Sequence, residues 1–120
     1  MEDELTMDIK GRDLLTGLPR TVRIYASEMT EALNEPLLEI IQAVKNVLHE
    51  TPPELAADIM ERGIVMSGGS SLLRNIDELV LRETGVQAHI ADEPLLCVAK
   101  GTGIALEHLE VYKRSIIAKR

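Results

Sequence analysis

Phenylalanine and tryptophan are absent from this sequence, and Tyr25 and Tyr112 are its only aromatic residues. Any core must therefore be aliphatic, and there are no rings beyond two tyrosines on which unpaired bases would stack. Basic residues are outnumbered, 13 against 20 acidic ones, for a net charge of −7. A phosphate backbone needs a cationic surface, so a nucleic-acid partner is excluded on both counts. Cys97 is the single cysteine. It leaves no intrachain disulfide to form, and a reducing compartment, the cytoplasm, fits best. No apolar run approaches the roughly 20 residues that span a bilayer. The opening Met1-Glu2-Asp3-Glu4 is acidic, the opposite of the start of a signal peptide.

What is present is enough for a globular core. Of 120 residues, 45% are apolar and 28% charged, the balance of one ordinary domain or of one piece of a larger one. The charge is uneven. Lys113, Arg114, Lys119 and Arg120 lie in the last ten residues with no acid among them, which leaves net −11 on the first 110. A basic tail carrying Ile116 and Ile117 has the chemistry to touch a membrane. A helix end whose cations suit the macrodipole is the favoured reading, and membrane contact is not expected of this stretch.

Residues 5–25 read as a β-hairpin. Leu5, Met7 and Ile9 alternate with polar residues, as do Val22 and Ile24, and Thr16-Gly17-Leu18-Pro19 supplies the turn. Arg12-Asp13-Leu14-Leu15 breaks the alternation, so the strand should end or bulge there. Ser27 is the expected N-cap of a following helix with Glu28 in its first turn. Apolar positions from Met29 to Leu48 recur at helical spacing, and Pro36 predicts a kink or two helical pieces. Thr51 and Glu54 have capping-box spacing around Pro52-Pro53, which predicts a short helix over 53–61 closed by a left-handed Gly63.

The next stretch is the most informative. Ile64-Val65-Met66 is a short apolar run of the kind buried on both sheet faces. It runs into Ser67-Gly68-Gly69-Ser70-Ser71 and then a helical pattern of Leu72, Leu73, Ile76, Leu79 and Val80, ended by Gly85. Val86, Ala88 and Ile90 make another strand. Asp92-Glu93-Pro94 opens a last helix running towards the tail. The β-α-β-α order specifies an α/β sheet with crossover helices. Gly101-Thr102-Gly103 falls inside that last helix, where close packing against a neighbour is the favoured reading.

A strand that enters a glycine turn and then a helix gathers free backbone N–H groups at one spot, where an anion is favoured. Gly68, Gly69, Ser70 and Ser71 are thus candidate nucleotide-binding residues, although a tight turn that simply needs glycines explains the same pattern. It is neither a Walker loop nor G-x-G-x-x-G. His49, His89, His108 and Cys97 lack metal-ligand spacing, and Ser67, Ser70 and Ser71 lack a nucleophile-elbow frame. No catalytic or metal site is assigned.

Four blocks carry a resemblance: Gly11-Arg12-Asp13-Leu14-Leu15-Thr16-Gly17-Leu18-Pro19, Thr51-Pro52-Pro53-Glu54-Leu55-Ala56, Arg62-Gly63-Ile64-Val65-Met66-Ser67-Gly68-Gly69, and Glu93-Pro94-Leu95-Leu96-Cys97-Val98-Ala99-Lys100-Gly101-Thr102-Gly103. In order and spacing they resemble the MreB family of bacterial actin-like proteins, over the C-terminal third or so of such a protein. The resemblance implies a partial actin-like ATPase fold. In it, 5–25 is the hairpin of an outer subdomain, 27–94 an inner subdomain with the adenosine-facing glycine turn, and 95–120 a C-terminal helix and basic tail.

It further implies a fragment or truncated paralogue of a cytoplasmic, ATP-binding filament protein of cell-shape determination. Its partners would be copies of itself or actin-like filament subunits. Only the adenosine side of the ATP site falls on this chain, with no Mg²⁺ ligands and no hydrolysis by the chain alone. Ser70 stands where the family usually has a third glycine. Serine tolerates positive φ poorly, so a changed turn geometry is expected there. The alternative is a small acidic α/β interaction module that binds no nucleotide. A stand-alone nucleotide-dependent enzyme lacks a phosphate lysine, a base and a metal cluster.

Overall fold

The computed structural model describes residues 4–116, with side chains as far as Arg114. The chain divides into two compact units, Met1–Asn46 and Val47–Arg120, which are taken in turn.

The first unit begins with the expected hairpin. Strands β1 (Thr6–Arg12) and β2 (Pro19–Tyr25) pair antiparallel in a regular register with Met7 opposite Ile24 and Ile9 opposite Val22. Side chains alternate across a strand, so these four share one face while Asp8, Lys10, Thr21 and Arg23 share the other. Arg23 meets Asp8 across the polar face at 2.9 Å. The strand ends at Arg12 without a bulge, because Asp13 redirects the chain. One of its carboxylate oxygens accepts the amides of Leu15 and Thr16 at 2.8 and 3.0 Å, and the other accepts Arg20 at 3.3 Å. Gly17, at φ +72°, donates its amide to the Asp13 carbonyl.

Helix α1 (Ala26–Glu50) follows directly. Its start is not capped by Ser27. Glu28 accepts the Tyr25 amide at 2.9 Å, and the Ser27 amide is instead taken by Glu4. Nor does Pro36 split the helix, which runs unbroken for 25 residues. Leu33, Leu37 and Val44 are half-buried around the buried Ile41, and Pro36 lies exposed. That one apolar stripe outweighs the lost hydrogen bond at Pro36.

In the second unit, α2 (Pro53–Arg62) starts without a capping box. The Thr51 hydroxyl donates back to the Val47 carbonyl at 2.6 Å, which leaves Pro52 as the uncapped first position. Gly63 closes the helix at φ +83° but ψ −174°, extended rather than left-handed. That geometry delivers the chain straight into β3 (Ile64–Met66), which pairs parallel with β4 (Ala88–Ile90). Helix α3 (Ile76–Thr84) crosses between them and ends at the left-handed Gly85.

The core of this unit is the buried set Ile76, Val80, Val86 and Ala88. Val65, expected to be buried on both faces of its strand, is 69% exposed. The sheet here has two strands, and two strands cover little. The last helix is also not one piece. Helix α4 (Cys97–Glu107) stops at His108, and α5 (Leu109–Ile116) resumes beyond it. Residues 117–120 of the basic tail lie outside the described residues.

Candidate functional site

The two parallel strands of the second unit end side by side, and the connections that leave them form one structure. After β3, Gly68 takes φ +85°, ψ 171° and turns the chain into a single 3-10 turn, Gly69–Leu72. After β4, the Ala91 amide donates to the Met66 carbonyl at 2.9 Å. Glu93 then adopts a left-handed conformation at φ +46°, and Pro94–Leu96 form a second 3-10 turn. The two turns are tied together. The Gly68 amide donates to the Pro94 carbonyl at 2.8 Å, and a side-chain carbon placed on Gly69 would come 3.2 Å from a methyl of Leu95.

The four residues singled out in the sequence fall in this turn but do different work. Ser71 is buried, and its hydroxyl donates to the Gly68 carbonyl at 2.7 Å. It braces the loop from beneath. Gly68, Gly69 and Ser70 are exposed, and the space beside Gly68 is open to at least 4 Å. Gly69 and Ser70 head the 3-10 turn, where amides have no acceptor within the turn itself. Ser70 does not have a positive φ; only Gly68 does in this loop. A serine at position 70 therefore carries no left-handed strain, so the reason for expecting a changed turn geometry does not apply. The helix foreseen from Leu72 begins later, at Ile76, after a left-handed Asn75, so it is a 3-10 turn rather than an α-helix that presents these amides.

Residues 93–97 supply half of the arrangement and were not legible as site residues. The Glu93 carbonyl accepts Leu96, and the Cys97 thiol lies 3.8 Å from the carbonyls of Asp92 and Glu93. Lys100 pairs with the Glu93 carboxylate. A carbonyl and a leucine methyl leave no motif, although Asp-Glu-Pro directly after a strand marks a second tight turn. The histidines lie on separate elements: His49 near the end of α1, His89 in β4 and His108 between α4 and α5. Gly101 and Gly103 were expected to allow close packing. Nothing lies within 4 Å of where their side chains would start, so within this chain they are simply exposed helical glycines.

An open backbone surface at the carboxyl ends of parallel strands is where α/β sheets hold ligands. Gly68, Gly69 and Ser70 present exposed backbone at that place.

Comparison with known proteins bears on the family and the fold. The MreB/Mbl protein family is matched over residues 1–114. The cell shape-determining protein Mbl of Bacillus cereus is 51% identical over 104 residues, which cover 87% of this chain and 31% of the relative. Cell shape-determining protein MreB of Escherichia coli K12 is 47% identical over 106 residues, 88% of this chain and 30% of the relative. Among solved structures, MreB5 of Spiroplasma citri bound to ADP superposes with a TM-score of 0.82 at 35% identity, covering 98% of this chain and 35% of that one. The same protein bound to AMPPNP gives 0.81. The chain thus spans about a third of the length of these relatives and has a partial actin-like fold. With the family matched over nearly every residue and the fold reproduced alongside it, this chain belongs to the MreB/Mbl family.

Proposed function

We propose that this chain forms the adenosine-side wall of a nucleotide site in an MreB/Mbl-type, actin-like filament protein of cell-shape determination. Gly68, Gly69 and Ser70 offer the contact surface, and Ser71 holds it in shape. One observation carries this reading. The open glycine turn stands at the ends of parallel strands in a fold that matches ADP- and AMPPNP-bound MreB5 over 98% of the chain. In the same reading 5–25 belongs to an outer subdomain, 27–94 to an inner one and 95–120 to the C-terminal helix and tail, in a cytoplasmic protein whose partners are further filament subunits.

One wall is not a whole site. Nucleotide pockets enclose about 70–90% of their ligand, and phosphoryl transfer rests on groups arranged around the γ-phosphate and its Mg²⁺. In this reading Gly68–Ser71 lie on the adenosine side only. The chain alone binds ATP weakly, supplies no Mg²⁺ ligand and does not turn ATP over.

Titration calorimetry of ATP-Mg²⁺ into the chain and into Gly69→Val tests this. A dissociation constant of roughly millimolar size is expected (about −4 kcal/mol). It should weaken in the variant, whose side chain presses on Leu95, with no phosphate released by either protein. Submicromolar affinity, steady turnover, or indifference to Gly69→Val would overturn the assignment.

A further inference from the structure

We propose that Glu93 is a strained latch on the glycine turn. Its left-handed backbone is held only while the two 3-10 turns are tied together. Residues 92–94 therefore have a second, released form, in which Glu93 is extended and the Pro94 carbonyl has left the Gly68 amide. What the latch does to a ligand rests on the nucleotide reading above; the latch itself does not.

Sequence and structure are at odds at this residue. Two non-glycine residues among those described have positive φ, Asn75 at +62° and Glu93 at +46°. Asparagine visits the left-handed region readily, because its short polar side chain bonds locally. Glutamate lacks that help, and a left-handed backbone crowds its Cβ against the following carbonyl. Glu93 also precedes Pro94, whose ring pushes the residue before it towards extended backbone. Two local preferences thus oppose φ +46°, ψ 60°. Strain of this kind persists only where the surroundings enforce it.

Burial does not enforce it here. The Glu93 and Lys100 side chains are 59% and 54% exposed, and an ion pair between such groups contributes little. What remains is backbone. The Leu96 amide closes on the Glu93 carbonyl, and the Gly68 amide reaches the Pro94 carbonyl, each at 2.8 Å. Both bonds depend on the direction the chain takes at residue 93, and only the second joins it to the glycine loop. With Glu93 extended both are lost, and the chain runs on past Ala91 in the direction of β4. Two hydrogen bonds of modest net worth stand against strain at one residue, a balance close enough to populate both forms. A ligand that needs the tied form draws the latch shut, and its apparent affinity falls with the fraction of molecules released.

Amide exchange on the whole chain, followed by nuclear magnetic resonance, reads the latch directly. After correction for intrinsic rates, the Gly68 amide should exchange at least about tenfold faster than the Val80 amide of the core, through opening of the latch alone. Exchange of the two together would mean that no released form exists and would overturn the proposal. Protection of Gly68 should rank with the tolerance of position 93 for left-handed backbone: Glu93→Gly above Glu93→Asn, then the parent, then Glu93→Val. Glu93→Gly should slow the exchange roughly fivefold or more. The Gly and Asn variants keep the turn that the structure shows, so the ranking stands on them even where Val unfolds the chain. Both lose the pair with Lys100, and Lys100→Gln should change Gly68 by less than about twofold. Protection that ignores this order, or that collapses in Lys100→Gln, would overturn the latch.

ATP-Mg²⁺ titrated into the same variants tests the link to the ligand. Dissociation constants should follow the same order, roughly threefold tighter in Glu93→Gly than in Glu93→Val. Equal constants across a series whose protection differs would overturn that link. A parent that binds no ATP would overturn the nucleotide reading instead, and the exchange series would still decide the latch.

Discussion

Single residues decide how the two connections of the second unit are built, and glycines of equal appearance in the sequence do unequal work. At Gly63 an added side chain would meet the Gln87 carbonyl at 2.6 Å, with His89 also close. At Gly85 the left-handed backbone stands in open space. Gly63→Ala should therefore lower the unfolding free energy by roughly 2–4 kcal/mol, backbone strain and steric overlap together. Gly85→Ala should cost only about 1 kcal/mol. Urea midpoints of the two variants measure the difference.

Asp13 gives a residue-level pH dependence. The Thr16 amide and then the Leu15 amide hold its carboxyl below the ordinary value, with Arg20 adding to them. A carboxyl whose pKa is lower folded than unfolded contributes fully above its unfolded pKa. That contribution disappears as pH falls through the folded value. The Leu15 and Thr16 amide resonances should stay constant through the ordinary carboxylate range and move only below it. Asp13→Asn should abolish that step.

Elements were legible where local pattern and packing agree. The period-2 alternation of Met7, Ile9, Val22 and Ile24 located the hairpin because that face is decided by strand geometry alone. The β-α-β-α order was equally readable from the apolar runs around Gly63 and Gly85. What was not readable depends on neighbours distant in sequence. Whether Val65 is covered depends on what flanks a two-stranded sheet. Whether Ser27 or Glu28 caps α1 depends on Glu4, more than twenty residues away. The site was half legible for the same reason: Gly68-Gly69 announces itself, while the Pro94 carbonyl that holds it does not.

Helix α4 shows the consequence for stability. Its Gly101 and Gly103 touch nothing, so they confer only the conformational cost of glycine in a helix. Gly101→Ala and Gly103→Ala should each stabilise the chain by about 0.5–1 kcal/mol. Gly103→Leu should be tolerated rather than overpacked. Thermal unfolding of the three variants checks this, and a marked loss in Gly103→Leu would show that the helix has a partner in solution.

At the scale of the whole molecule, stability is unequally distributed. Among the described residues, the buried aliphatic ones of Val47–Arg120 are Ile76, Val80, Val86 and Ala88, whereas Met1–Asn46 has Ile41. The slowest amide exchange should accordingly fall on α3 and β4, and the hairpin should exchange through openings of much lower free energy. Val86 is 2% exposed, and Val86→Ala removes about two buried carbons and leaves a void, a loss of about 2 kcal/mol. In so small a core this should bring the exchange of the entire α3–β4 region up together. A change confined to Val86 itself would mean that the unit is not cooperative.

The tie between the two 3-10 turns also bears on transplantation. Moved alone onto another parallel sheet, residues 67–72 would lose the Pro94 carbonyl that takes the Gly68 amide and the Leu95 methyl that backs Gly69. The loop would arrive with its sequence intact and its shape unset. The smallest graft that keeps its form is a pair of segments, 67–73 together with 91–97, on strands held at the spacing of β3 and β4. In an engineer's vocabulary, the glycine loop is not a cassette but one half of a clasp.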